Sequence, residues 1–276
     1  MRIIKQLFDF YLNSSIHVAL AVCALSWITL NQFNIFYDEN ILYFIFFATI
    51  TGYNFVKYFG IAKFHHRSLT DALRIIQVFS LICFVLLCYY AIHLQLKTLI
   101  SIAVFGIITF LYAIPFIPKN FYLDNQQNLR DVSGLKVYVI ALVWAGVTVF
   151  LPLINNDFSI NTDVYITTFQ RFVFVIVLML PFEIRDLDFD SLKLATIPQK
   201  IGVKYTKIFG LFLLVLLFFA EFLKDELSHG SIIMTLLISL ITLSFLVLSN
   251  KKRNCYYSSF WVESIPIIWL LIILFC

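Results

Sequence analysis

Residues 172–186 read Phe172-Val-Phe-Val-Ile-Val-Leu-Met-Leu-Pro181-Phe182-Glu183-Ile184-Arg185-Asp186, and Leu187-Asp188-Phe189-Asp190 follow. The first eleven residues carry no charge, and the next eight carry five. A helix needs about 20 mostly apolar residues to cross a hydrocarbon core. The run from about 168 to 182 fits a span whose end meets water at Glu183. A continuous apolar run of this kind is helical, because lipid offers no partner to unpaired backbone groups. It does not alternate, which excludes a barrel strand.

Eight further runs resemble it. Together the nine centre on 15–33, 41–59, 74–92, 98–116, 136–153, 168–182, 206–223, 231–249 and 259–276. The fold class is therefore all-α: a polytopic helical bundle of about nine transmembrane helices. The 276 residues are 61% hydrophobic and 13% charged, well outside the balance of a soluble globular domain. No polar or Gly/Ser-rich linker divides the chain, so residues 1–276 read as one transmembrane domain. Arg2 and Lys5 precede the first run, but that run exceeds a signal core and no small-residue cleavage site follows.

Basic residues orient the spans. With the N-terminus in the cytoplasm, 17 of the 20 Lys and Arg residues fall on the inner side. Only Lys97, Arg171 and Lys224 fall outside. The positive-inside rule thus predicts a cytoplasmic N-terminus and a C-terminus on the opposite side. Arg171 is expected to snorkel outward to water. The inner loops near 60–73, 117–135 and 183–205 are long and charged, so chemistry on an anionic substrate is expected there. No nucleic-acid module or Gly-rich nucleotide loop is present. The five cysteines show no metal or disulfide spacing and read as packing residues. His65-His66 point apart on a helix and mark an interfacial loop. Glu263, near the inner start of the last span, reads as an intramembrane functional acid or as a partner for Lys251–Arg253.

In the acidic segment, Glu183, Asp186 and Asp190 fall at i, i+3 and i+7, one stripe of a continuing helix. Stacked like charges repel. Either Arg185, Lys193 and the basic loops neutralise them, or they bind a divalent cation such as Mg²⁺, which favours carboxylates, waters and phosphates.

The piece from Asp186-Leu-Asp188-Phe-Asp190 through Thr196-Ile197-Pro198 to Gly202 resembles the second aspartate motif of the UbiA-type intramembrane prenyltransferase superfamily. Tyr112-Ala-Ile-Pro115, Leu129-Arg130 and Gly134-Leu135-Lys136, with Trp144 in the next span, are similar to the loop between that family's fourth and fifth helices. The resemblance implies a nine-helix bundle that transfers an isoprenyl group from a prenyl diphosphate to a lipophilic or aromatic acceptor. It implies Mg²⁺ as cofactor, held by Asp186 and Asp190 with Glu183 assisting. Lys136, Arg130, Lys193 and Lys57 are then the diphosphate contacts. The partners are membrane lipid, the prenyl diphosphate and the acceptor.

The family's first aspartate motif belongs at the end of the second span. Asn54 matches its Asn, but Phe55, Tyr58 and Ala62 occupy its aspartate positions. The chain is thus a divergent form lacking that motif. Lys57, Lys63 or Arg67 could meet the diphosphate directly as point charges; equally, they could simply mark the cytoplasmic side. The alternative function is a catalytically inactive prenyl-lipid- or quinone-binding or scaffolding protein.

Overall fold

The computed structural model describes residues 2–64, 71–113, 134–187 and 196–275. Its elements are helical throughout. They are α1 (Arg2–Asn13), α2 (Ile16–Gln32), α3 (Glu39–Phe64), α4 (Asp71–Ala91) and α5 (Leu96–Ala113). Next come α6 (Leu135–Ala145), a π-helical turn (Gly146–Phe150) and α7 (Leu151–Asn155). The chain continues through α8 (Thr162–Asp186), α9 (Ile197–Ala220), α10 (His229–Leu248), a second π-helical turn (Tyr257–Val262) and α11 (Ile265–Phe275).

Over the described residues, each of the nine apolar runs is mainly helical. Among the described residues, six helices are long and apolar enough to cross a bilayer, and seven if the bent pair α1–α2 counts as one span. Nine is therefore an approximate count. α5 is a shorter apolar helix, and α3 has the length, at 26 residues, but carries polar Asn54 and Lys57. The sequence reading also missed α1. That helix leaves Ile4 and Leu7 exposed beside Lys5, the amphipathic character of an interfacial helix.

α2 and α8 form the interior. Within α8, 67% of the apolar window is buried, against 11% in α4, whose surface faces outward. Such a bundle gains little from apolar burial against lipid, so close packing must hold it. Gly210 of α9 shows this. A Cβ there would collide with Leu246 Cδ2 of α10 and come within 3.0 Å of Leu180 Cδ1 of α8. Pro181 sits inside α8, which the surrounding helices permit.

α9 starts on a built N-terminus. Thr196 precedes it, Gln199 Oε1 accepts the Thr196 N–H at 2.9 Å, and Glu183 Oε2 accepts the Ile197 N–H at 3.2 Å. One turn on, Gly202 adopts φ 78° and ψ 160°, a conformation open almost only to glycine.

Side chains also bind the opposite end. Asp38 accepts from Asn155 and Asn156, while Asn155 Oδ1 accepts from Gln95 N and Thr98 Oγ1. Asp157 accepts from Lys97 and Gln95, which hold its carboxyl below the usual range. Asp163 caps the backbone of Asp225 and Glu226.

Two substitutions test these readings by thermal unfolding in detergent. Gly210→Val should overpack the three-helix contact and cost about 1–3 kcal/mol. Gly202→Ala meets no neighbour within 4 Å, so its penalty, also about 1–3 kcal/mol, should come from backbone strain alone.

Candidate functional site

The site begins at a break in the backbone. α1 ends at Asn13, and Ser15 turns the chain at φ 64°, ψ 18° into α2, bending the pair by 55°. A non-glycine residue in this region is uncommon, and the turn frees backbone carbonyls at the bundle's edge. One face of α3 takes them up. Asn54 Nδ2 donates to Ser14 O at 3.0 Å and to Ser80 Oγ of α4 at 2.8 Å. Asn54 Oδ1 accepts from Ser15 Oγ at 2.8 Å. Tyr58 OH donates to Asn13 O at 3.0 Å, and Lys57 Nζ to Ser15 Oγ at 2.9 Å. Residues 54, 57 and 58 share a face because i, i+3 and i+4 are helical neighbours.

A second network extends from α2 to the last span. His17 is buried, with Nε2 2.9 Å from Phe260 O and Nδ1 2.7 Å from Tyr11 OH. A carbonyl can only accept, so Nε2 carries a proton, while the Tyr11 phenol can donate to Nδ1 or accept from it. Ser264 Oγ lies 3.2 Å from Nε2 and itself donates to Phe260 O. Phe260 belongs to the second π-helical turn, a feature often found at functional sites.

The same turn receives α8. Arg185 Nη1 donates to Ser258 Oγ at 2.7 Å and Ser259 Oγ at 3.0 Å. Its Nε and Nη2 grip Asp186 at 2.6 and 2.9 Å. Glu263 follows the π turn, half-buried, and lies close enough to Lys57, Arg185 and Tyr11 to interact electrostatically. It makes no ion pair within 4 Å among the described residues. Its neighbours are thus Lys57 and Arg185, rather than the Lys251–Arg253 run. α1 crosses this end: Tyr256 OH donates to Asp9 at 2.5 Å, a bond that raises the Tyr256 pKa. Phe8 packs on Tyr256 and Phe260.

Of the site residues read from sequence, the fold brings Lys57 of α3 and the α8 terminus together around Glu263. Glu183 is buried and serves as a cap for α9. Asp186 is engaged by Arg185. Lys136 is half-buried in the first turn of α6, with no polar partner among the described residues. α6 is tied to α3 by Trp144 Nε1 donating to Tyr53 OH at 2.8 Å. Arg130, Asp190 and Lys193 lie outside the described residues, as do Arg67 and the His65-His66 pair.

The Mg²⁺ set read from sequence includes Asp190, which lies outside the described residues. No group of three His, Cys, Asp or Glu side chains among them is placed to hold a metal. The first arm offers Phe55 and Tyr58, and the Asp186 carboxylate already holds a guanidinium. The sequence reading missed Ser15, His17, Ser80, Ser258 and Ser259. His17 inside an apolar run was the available signal, since intramembrane ionisable residues tend to be functional.

Sequence comparison matches the chain to no family model and to no curated protein. Structural comparison does find relatives. A UbiA homologue from Aeropyrum pernix K1 superposes with a TM-score of 0.64 at 15% identity, over 95% of this chain and 99% of that one. A digeranylgeranylglyceryl phosphate synthase superposes at 0.56 and 16% identity, over 98% and 96%. The chain has the UbiA-type prenyltransferase fold.

Replacing Asn54 by Leu tests the network. It strands the Ser14 carbonyl, at a cost of about 1–3 kcal/mol for a buried group left unpaired, while Ser15 Oγ keeps Lys57 and Ser80 Oγ keeps Ile76 O. The expected result is a lower unfolding midpoint together with faster proteolysis at the α1–α2 break.

Proposed function

From this fold, we propose that the chain binds an isoprenyl diphosphate at the Lys57–Arg185–Glu263 end of the bundle. It transfers the isoprenyl group to a lipophilic or aromatic acceptor. We place this end at the cytoplasmic face, with the N-terminus inside and the C-terminus opposite, as the distribution of basic residues supports. The similarity to a digeranylgeranylglyceryl phosphate synthase supports an isoprenoid lipid as the substrate class.

The observation that carries the reading is the state of Lys57. Its ammonium has three N–H donors and spends one on Ser15. Two remain for an anion, on an exposed side chain. Arg185, by contrast, spends four of its five N–H donors on Asp186, Ser258 and Ser259. It contributes positive charge and fixes geometry.

The chemistry follows from charge. Cleavage of the allylic C–O bond leaves negative charge growing on the diphosphate, and positive groups aimed at that charge lower the barrier. Lys57, Lys136 and, from the neighbouring loops, Arg130 and Lys193 are the cations assigned to it. The acceptor's nucleophilic atom then takes the isoprenyl carbon and gives up a proton. His17 and Glu263, a titratable pair at this end, are the groups assigned to exchange it. A contribution from Mg²⁺ at Asp186 and Asp190 is a separate proposal, which the metal arm of the test addresses.

The test uses the full chain in lipid with allylic prenyl diphosphates of several lengths, with and without Mg²⁺. Diphosphate release is measured for the wild type, Lys57→Gln and the Asp186→Asn/Asp190→Asn pair. The reading expects release that falls on the order of 10²-fold in Lys57→Gln, the usual cost of one lost charge-stabilising donor. Loss in the aspartate pair, together with Mg²⁺ dependence, would assign the metal. Tight binding without release would replace transfer by carriage, and absence of both would overturn the proposal.

A further inference from the structure

The three basic residues on the side opposite Lys57 have different fates. Lys97 pairs with Asp157, and Lys224 with Glu221. Arg171 does not snorkel to water, as its position suggested. It is 2% exposed, inside the bundle between α2 and α11. Its Nη2 makes a 3.3 Å bond to Thr29 Oγ1, its Cζ sits 5.1 Å from the centroid of the Trp269 ring, and its Nη1 has no partner. No carboxylate pairs with it among the described residues.

Arg171 lines a cavity of about 10 Å³ together with Thr167, Gln170, Thr235 and Trp269. That volume holds one atom-sized occupant. Two lining groups, Arg171 Nη1 and Trp269 Nε1, are buried donors with no partner, and Gln32 also lines the space. Trp269 Nε1, on a ring only 8% exposed, has no partner, and an indole N–H can only donate. The Thr167 and Thr235 hydroxyls make no hydrogen bond among the described residues. Gln170 Nε2 is already spent on Leu217 O and Glu221 Oε2. Glu221 is joined to Gln170, its Oε2 is held by Lys224 at 2.8 Å and by Gln170 while its Oε1 has no partner, and it does not line the cavity.

The sum is one uncompensated positive charge, two orphaned donors and two free hydroxyls around a space for a single atom. A buried charge is costly unless paired. Water would fill the space and leave the charge. We propose that this cavity is a binding site for one monatomic anion of the halide class. The anion lies between Arg171 Nη1 and Trp269 Nε1 and ties α8 to α11. Along α8, Arg171 and Arg185 are 14 residues apart, roughly 21 Å at helical rise, so this site is separate from the Lys57 end. It is independent of the proposed transfer activity.

The full chain in detergent is unfolded thermally in sodium chloride, sodium bromide and sodium gluconate at equal ionic strength. Halides should raise the midpoint saturably, by roughly 3 °C at tenfold excess over the dissociation constant. The rise should vanish in Arg171→Gln and shrink by at least about half in Trp269→Phe, which keeps the ring packing and removes the donor. Crystals grown in bromide should show an anomalous peak between the two nitrogens. Equal midpoints in all three salts would overturn the proposal, as would an undiminished halide shift in Trp269→Phe. The phenylalanine variant keeps the test decisive should Arg171→Gln fail to fold.

Discussion

In a hydrocarbon medium every backbone carbonyl freed by a break must find a donor within the protein. The break at Ser14–Ser15 meets that demand through Asn54 and Tyr58 of α3, and much of the site's layout follows. α1 can then turn across the end of the bundle, bringing Tyr11 to His17 and Asp9 to Tyr256. The serine that makes the turn also holds Lys57. One helical face thus fixes the entry of the chain and presents an ammonium at the bundle's end.

That arrangement gives the missing carboxylates a physical context. Where the resembling family has acids, this chain has a face that secures a backbone turn and carries a cation. Asp186 compensates Arg185, Glu183 starts α9, and Glu263 sits between the two positive groups from α3 and α8. Among the described residues at this end, Lys57 is the cation whose ammonium keeps donors unspent. A second cation, Arg171, lies buried at the other end. Of the two, only Arg171 lacks an acid partner among the described residues.

The sequence revealed the bundle because spanning helices are long, continuous and apolar, and loop charges sort by side. It was poorer on α1, whose amphipathic pattern is too short to read as a span. The acidic segment was legible as a cluster, but its partners were not. Arg185 and Asp186 are neighbours in sequence whose pairing depends on side-chain direction, and the Glu183 cap reaches 14 residues ahead to Ile197. Ser258 and Ser259 lie more than 70 residues from Arg185, and no local pattern announces them. Arg171 misled for a related reason. Its depth depends on which face of α8 meets α2 and α11, which charge counting does not register.

The account rests on anion recognition by Lys57 in place of a metal arm. The most direct measurement is equilibrium binding of a non-cleavable prenyl thiodiphosphate to the full chain, in Mg²⁺ and in excess EDTA, for the wild type and Lys57→Met. Affinity that chelation leaves within about twofold, and that Lys57→Met lowers by about tenfold or more, equivalent to about 1.4 kcal/mol, is the predicted result. Binding abolished by EDTA and unchanged in Lys57→Met would contradict it.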